Sequence, residues 1–472
     1  MRWKKGNNVQ LHEAARAIGA VAVGADVAFD IVSSDSRTLP PGCLFVALKG
    51  PRFDGHAYAD RALEQGAAAV MIEAGSGLDL APALRVEDTR IGLGRLAAWH
   101  RANMPAKIAA ITGSNGKTTV KEMLASICAA AVGEGAVLAT AGNLNNDIGM
   151  PLTLLRLTSA HRYAAIEMGM NHPGEIAYLT ELARPDVAMV NNALRAHLEG
   201  LGSVEAVARA KGEIFAGLRD DGVAVINADD PHADYWRGLA DGHKVLSFGA
   251  AAGADVRIEA QGTRNKRQGE TGTALPLAPC PLSLNTPAGR VEAALQVPGE
   301  HNRRNAAAAA AVALALGIPL DAVARGLAAY QGSKGRLQAH ACILGATLID
   351  DSYNANPDSV LAAIQVLAER AGTRILVLGD MGELGPEAAA LHREIGARAR
   401  AAGVDRLLCL GELSINAVNG FGAGAMHFER IEELLAEIEC ALGADTTVLV
   451  KGSRFMQMER VTQSFVEKNQ CA

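Results

Sequence analysis

Residues 112–119 read Thr-Gly-Ser-Asn-Gly-Lys-Thr-Thr and follow the apolar run 107–111. Glycines at 113 and 116 let backbone N–H groups approach phosphate oxygens with no Cβ in the way, and Lys117 suits the β and γ phosphates of a nucleotide. The Thr118 hydroxyl suits Mg²⁺, while Ser114, Asn115 and Thr119 complete the loop. In the usual phosphate loop the leading glycine stands five positions before Gly116, where this chain has Ile111. The stretch is therefore either a glycine-rich turn with a surface lysine or a phosphate cradle with a different lead-in. The strand-like run before it and the helix-like VKEMLASICAA after it favour the cradle.

Other side chains have chemical uses, each with an ordinary alternative. Glu167 ends the apolar run of AAIEMGM, where a carboxylate either binds a cation or pairs with an arginine or an amide. His197 in NNALRAHLEG is a lone histidine, usually structural. Lys211 lies between Ala210 and Gly212 on an amphipathic helix, where a lysine is ordinarily solvated or paired with Glu205 or Glu213. His301, Asn302 and Asn305 open a helix in PGEHNRRN; asparagine amides there either cap the helix or read a purine. Arg336 falls in a linker-like GSKGRLQ, and Asp351 stands among the acids ending LIDDSY, within reach of a nucleotide if two domains close.

Three α/β stretches must position these groups. Residues 1–88 form a small unit with strands at 43–48 and 68–72, a Gly/Pro-rich turn and one helix. Residues 89–326 alternate strands (KIAAITG, YAAIEMG, DVAMVNN, GVAVINAD) with helices, the pattern of a parallel sheet covered on both faces. Ligands of such sheets bind beyond the strand C-termini, which sends Gly113, Glu167 and Asn191 to one crevice. The rhythm lapses over 250–298, where PLSLNTPAGRVEAALQV reads as a hairpin packed on the side. Residues 327–472 resume it with ATLIDDSY, RILVLGD, RLLCLGE and TVLVKGS and helices at 358–370 and 388–402, a second doubly wound domain. Asn356-Pro357-Asp358 is a strong helix start.

The chain of 472 residues exceeds what one core supports. A net charge of −6 gives no reason to expect nucleic acid or an anionic membrane as partner. Seven scattered cysteines with no C-x-x-C argue for reduced thiols and against a zinc site. The start MRWKKGNNVQ leads into an amphipathic helix, LHEAARAIGA, and the longest apolar run is short and mostly alanine. These features predict a cytoplasmic protein without membrane insertion.

Together the motifs resemble the Mur ligases, ATP-dependent amide ligases that extend the peptide of the peptidoglycan precursor, and T-G-x-[NS]-G-K-T is that family's form of the phosphate loop. The resemblance also rests on SDSRTLPPGCLFVALKGPRFDGHAYADRALEQGA, GNLNNDIGMPLTLL, EMGMNHPGEI, NADDP, GRLQ, DDSYNANPDS and LGDMGELG, and spans nearly the whole chain. It implies a UDP-binding N-terminal domain, a central ATPase domain and a Rossmann-like C-terminal domain. It further implies transfer of D-alanyl-D-alanine to UDP-N-acetylmuramoyl-tripeptide through an acyl phosphate, by a monomer. Alternatives are another Mur-type or a folylpolyglutamate-type ligase, or a phosphate-loop switch ATPase.

Residue by residue, the resemblance implies ATP phosphates on Gly113, Ser114, Asn115, Gly116, Lys117, Thr118 and Thr119, with Mg²⁺ on Thr118 and Glu167. It implies a second Mg²⁺ near His197 and Lys211, the latter as a carbamate, and a catalytic set of Lys117, Glu167, His197 and Lys211. Adenine and ribose fall to His301, Asn302, Asn305, Arg336 and Asp351. The UDP-sugar falls to Ser34, Ser36, Arg37, Lys49, Asp54, Gly55 and His56, and the muramoyl peptide to Asn143, Asn145 and Asn146. The stretch between Asn192 and His197 is where family members vary.

Overall fold

The computed structural model describes residues 8–51, 53–259 and 280–466. Its largest element is a nine-stranded sheet in the centre of the chain. The strands Val137–Ala139, Tyr163–Glu167, Lys107–Thr112, Val187–Val190, Val223–Asn227, Lys244–Gly249 and Val256–Ile258 lie side by side in that order, all parallel. Strand Lys107–Thr112 shows why the sheet is covered on both faces. Ile108 and Ala110 belong to one apolar cluster, Ala109 and Ile111 to another, as side chains alternate along a strand.

The hairpin foreseen at the side is instead part of this sheet. Cys280–Thr286 pairs antiparallel with Val256–Ile258 and then with Gly289–Leu295, so the two strands extend one edge. Residues 260–279 of the same irregular stretch lie outside the described residues.

On one face pack the helices Lys117–Val132, Glu300–Ala315 and Leu320–Ala329. The run 306–313, alanine except for Val312, is buried, and its short side chains bring that helix close onto the strands. A Cβ on Gly326 would stand 2.3 Å from the Ile127 Cα, so two of these helices touch backbone to backbone. On the other face lie Thr89–Ala102, Glu175–Ala183 and Val204–Gly212.

The N-terminal unit is a five-stranded sheet that includes Leu44–Val46 and Ala69–Glu73. Its residues Leu11, Leu44 and Met71 share one apolar cluster with Ile108, Ile166 and Ile226 of the central sheet, so the two units are fused through a common core.

The C-terminal unit is a six-stranded sheet, parallel except for the edge strand Gln338–Ala341. Its two apolar clusters draw only on residues from Leu337 onward. The helix Pro357–Ala368 starts as read: Asn356 caps it, Pro357 opens it, and Ser359 closes a reciprocal capping box. Among the described residues no helix is long and apolar enough to cross a membrane.

Candidate functional site in the cleft between the central and C-terminal sheets

The C-terminal ends of the central strands face the C-terminal unit across a cavity of about 980 Å³. The phosphate loop forms its floor. Gly116, at φ 82°, holds the N-terminus of helix Lys117–Val132, and a Cβ there would meet Asn305 Oδ1 at 2.3 Å and Asn191 Nδ2 at 2.5 Å. Those two asparagines bond to each other at 3.1 Å, and Asn191 Nδ2 also donates to the Asn115 carbonyl at 2.9 Å.

Lys117 folds back over its own loop, its Nζ donating to the Gly113 carbonyl at 2.6 Å and the Ser114 carbonyl at 3.2 Å. Burial lowers its pKa, an effect that the charge of Glu167 opposes. Glu167 is buried, and its carboxylate accepts from the Thr118 hydroxyl at 2.8 Å and from Asn145 Nδ2 at 2.8 Å. Arg336 donates to the same hydroxyl at 2.9 Å, with its guanidinium 4.3 Å from the centre of the Tyr353 ring. Thr118, Glu167, Asn145 and Arg336, far apart in the chain, thus form one polar chain. Asn143 and Asn146 line the same cavity.

Lys211 departs most from its ordinary reading. It is neither solvated nor paired with Glu205 or Glu213: it is 1% exposed, and its Nζ has no hydrogen bond or ion pair with any described residue. Glu213 is engaged by the Gly174 and Ala177 N–H groups instead. Burial, followed by the nearby charge of Lys117, drives the Lys211 pKa well below that of an ordinary lysine. The helix Val204–Gly212 is as read, but the helix Ala233–Leu239 packs against it through the buried Trp236, whose Nε1 donates to the Ala208 carbonyl at 2.9 Å, and Lys211 is buried within the fold.

His197 sits at φ 56°, with Nδ1 2.7 Å from Glu383 Oε2, in ion-pair range but off the axis of a hydrogen bond. Glu383, at φ 60°, belongs to the C-terminal unit, and the His197 contact holds its carboxyl below the ordinary value. Two non-glycine residues in the left-handed region therefore face each other across the cleft.

Asn302 and Asn305 do not cap their helix, because Gly299 holds the cap position without a side-chain bond. They lie within the first two turns, Asn302 Nδ2 bonding to the Pro298 carbonyl at 2.7 Å and Asn305 Nδ2 to Asn302 Oδ1 at 3.2 Å. Burial and the charges of Lys451 and Arg304 push the His301 pKa down to about 4, so this ring is neutral at pH 7. Asp351 bonds to Lys451 Nζ at 2.6 Å. Sequence reading missed that lysine, although VLVKGS ends a strand as the noted acids do.

The N-terminal candidates lie apart from this cavity. His56 commits both ring nitrogens within its own unit, Nδ1 to Asp54 at 2.6 Å and Nε2 as acceptor for the Glu73 N–H at 2.9 Å. Gly55 is pressed against the Leu48 backbone, leaving no room for a side chain. Arg37 is exposed and paired with Asp35, Lys49 is exposed, and Ser34 and Ser36 are half-buried.

A phosphate loop on a parallel sheet, facing a separate doubly wound sheet, defines a two-walled nucleotide-type site, and the chain belongs to the Mur ligase family. Family models described as Mur ligase family catalytic domain, Mur ligase middle domain and Mur ligase glutamate ligase domain match residues 28–110, 111–313 and 335–454. The chain is 44% identical to the UDP-N-acetylmuramoyl-tripeptide--D-alanyl-D-alanine ligase of Escherichia coli (strain K12), over 98% of this chain and 100% of that one. Among solved structures it is similar to MurF from Acinetobacter baumannii, with a TM-score of 0.87, 34% identity and coverage of 97% and 99% of the two chains. It is also similar to the MurF ligase from Thermotoga maritima in complex with ADP, with a TM-score of 0.79, 26% identity and coverage of 92% and 96%.

Proposed function

We propose that this chain is an ATP-dependent ligase that joins D-alanyl-D-alanine to UDP-N-acetylmuramoyl-tripeptide in peptidoglycan synthesis. The observation that carries it is the end-to-end match to the Escherichia coli ligase of that name, at 44% identity. The same match favours this reading over a folylpolyglutamate-type ligase or a switch ATPase.

In this reading the tripeptide carboxylate attacks the γ-phosphate of ATP, giving an acyl phosphate and ADP. The amine of D-alanyl-D-alanine then attacks the acyl carbon and phosphate leaves. An anion attacking a polyanion needs positive charge, which Lys117 on the phosphate loop and Arg336 beside the Thr118 hydroxyl would supply. The neighbouring Thr118 hydroxyl and Glu167 carboxylate are hard oxygen donors that fit Mg²⁺, and Asn145 holds that carboxylate in place. Mg²⁺ bound there would neutralise phosphate oxygens during transfer. Among the described residues no three His, Cys, Asp or Glu converge as a ready-made cage, so phosphate and water oxygens would supply the rest of its shell.

The carbamate at Lys211 is part of this proposal. Burial and the charge of Lys117 shift this lysine, which has no partner among the described residues, toward its neutral amine, the form that adds CO₂ to give a carbamate and a proton. The carbamate's negative charge would answer the positive field of Lys117. His197 and the nucleotide contacts of His301, Asn302, Asn305, Arg336 and Asp351 are likewise proposed roles, as are the N-terminal contacts to the UDP-sugar.

A phosphate-release assay with UDP-N-acetylmuramoyl-tripeptide, ATP and D-alanyl-D-alanine, each omitted in turn, tests the function. Release should require all three. Equal turnover with diaminopimelate and UDP-N-acetylmuramoyl-dipeptide would reassign the chain within the family.

A further inference from the structure

We infer that Arg195 is a positioning residue that couples closure of the C-terminal domain to the shape of the phosphate loop; the inference rests on a nucleotide occupying that loop, as proposed above.

The loop around Arg195 is clasped to the phosphate loop. The Ser114 N–H donates to the Asn192 carbonyl at 3.0 Å and the Asn115 N–H to Asn192 Oδ1 at 2.9 Å. The Leu194 N–H donates to Ser114 Oγ at 2.9 Å, and that hydroxyl donates back to the Leu194 carbonyl at 3.2 Å. From its other side the Ala193 N–H is anchored on Asp230 at 2.9 Å. A displacement of residues 192–194 would therefore move Ser114 and Asn115 with it.

The next residue faces the other way. Arg195 sends its guanidinium to two acids of the C-terminal unit: Nη2 to Asp358 Oδ1 at 2.8 Å and Nη1 to Glu394 Oε2 at 2.8 Å. Its backbone N–H donates to Asp358 Oδ2 at 2.9 Å. The acids come from two different helices, Pro357–Ala368 and Ala388–Ala401, so the planar fork fixes an orientation as well as a distance.

Two further observations give this contact weight. The apolar clusters of the C-terminal sheet include no residue of the central unit, whereas the N-terminal unit shares a core with it. Closure of the C-terminal unit thus depends on polar contacts, and Arg195 makes a doubly branched one. The side chains of Arg195, Asp358 and Glu394 are 26%, 22% and 34% exposed, too recessed for a screened surface pair yet open enough to break without stranding a buried charge.

The test compares wild type with R195A, R195K and E394Q by small-angle X-ray scattering with and without β,γ-methylene ATP, alongside ligation kinetics. The expected result is nucleotide-dependent compaction in wild type and its loss in R195A at unchanged melting temperature. With that loss, kcat/KM for ATP should fall by about tenfold, as for a charge-assisted bidentate contact. R195K, which keeps the charge and loses the fork, should recover part of the compaction, and E394Q, which removes one arm, should lose less than R195A. Should R195A melt early, E394Q, at a partly exposed side chain, carries the same comparison. R195A that compacts like wild type and keeps its kcat/KM would overturn the inference. Wild type that binds no nucleotide would instead overturn the functional reading beneath it.

Discussion

Asn115 in the phosphate loop and Asn356 at the start of a C-terminal helix exchange their side-chain amides: Asn356 Nδ2 donates to Asn115 Oδ1 at 2.7 Å and Asn115 Nδ2 to Asn356 Oδ1 at 3.2 Å. Asn356 Oδ1 also caps its own helix through the Ser359 N–H at 2.9 Å. One side chain thus serves helix stability and the join between the two walls of the site.

The two roles separate by substitution. Asn356→Ala removes cap and join, and should cost about 1 kcal/mol of stability together with a raised KM for ATP. Asn356→Asp keeps an acceptor for Ser359 but cannot donate to Asn115. It should retain stability within about 0.5 kcal/mol in urea titration while still raising KM.

Lys117→Ala should leave the fold intact, since among the described residues the lysine Nζ bonds only to two carbonyls of its own loop, Gly113 and Ser114. Turnover at saturating ATP should fall by at least about 100-fold, because the lost charge acts most on the transferring phosphoryl group. Retained turnover would remove the phosphate-loop reading.

Lys211→Ala should abolish nearly all ligation, with partial recovery on adding acetate or formate, which supply a carboxylate where the carbamate stood. A carbamate resonance should appear in wild type grown or dialysed with ¹³C-bicarbonate and be absent from Lys211→Met, which fills the same volume. A wild-type spectrum without that resonance, at full activity, would show an unmodified amine.

Stability should depend on pH through histidines held neutral. Burial lowers the pKa of His301 to about 4 and also lowers those of His100 and His392. Their unfolded pKa is about 6.5, so as pH falls from there toward 4 the unfolded chain takes up protons that the native chain refuses. The stability is present in full above pH 6.5 and lost progressively below it. Urea midpoints should fall between pH 7 and pH 5, less steeply in His301→Asn than in wild type, and NMR should show the native His301 ring neutral at pH 5.

Much of this architecture is local and was legible in residue order. The strand KIAAITG alternates its side chains between two cores, and Asn356-Pro357 starts a helix because the asparagine caps it and the proline needs no N–H partner. The phosphate loop is likewise local: loop, glycines and helix N-terminus are contiguous, so eight residues specify it, and family likeness covered its missing leading glycine. What lay outside that reach depends on groups brought together from distant parts of the chain. Periodicity put Lys211 on a helix, but that its side chain is buried was decided by what the tertiary fold packs around that helix. The asparagines 302 and 305 looked like caps, and it took Asn191 from another strand end to turn Asn305 into part of the loop's support. Arg195 stood in the one stretch where the family pattern varies. Its meaning comes from Asp358 and Glu394, more than 160 residues away, and only the packing of two sheets across a cleft brings them within 2.8 Å.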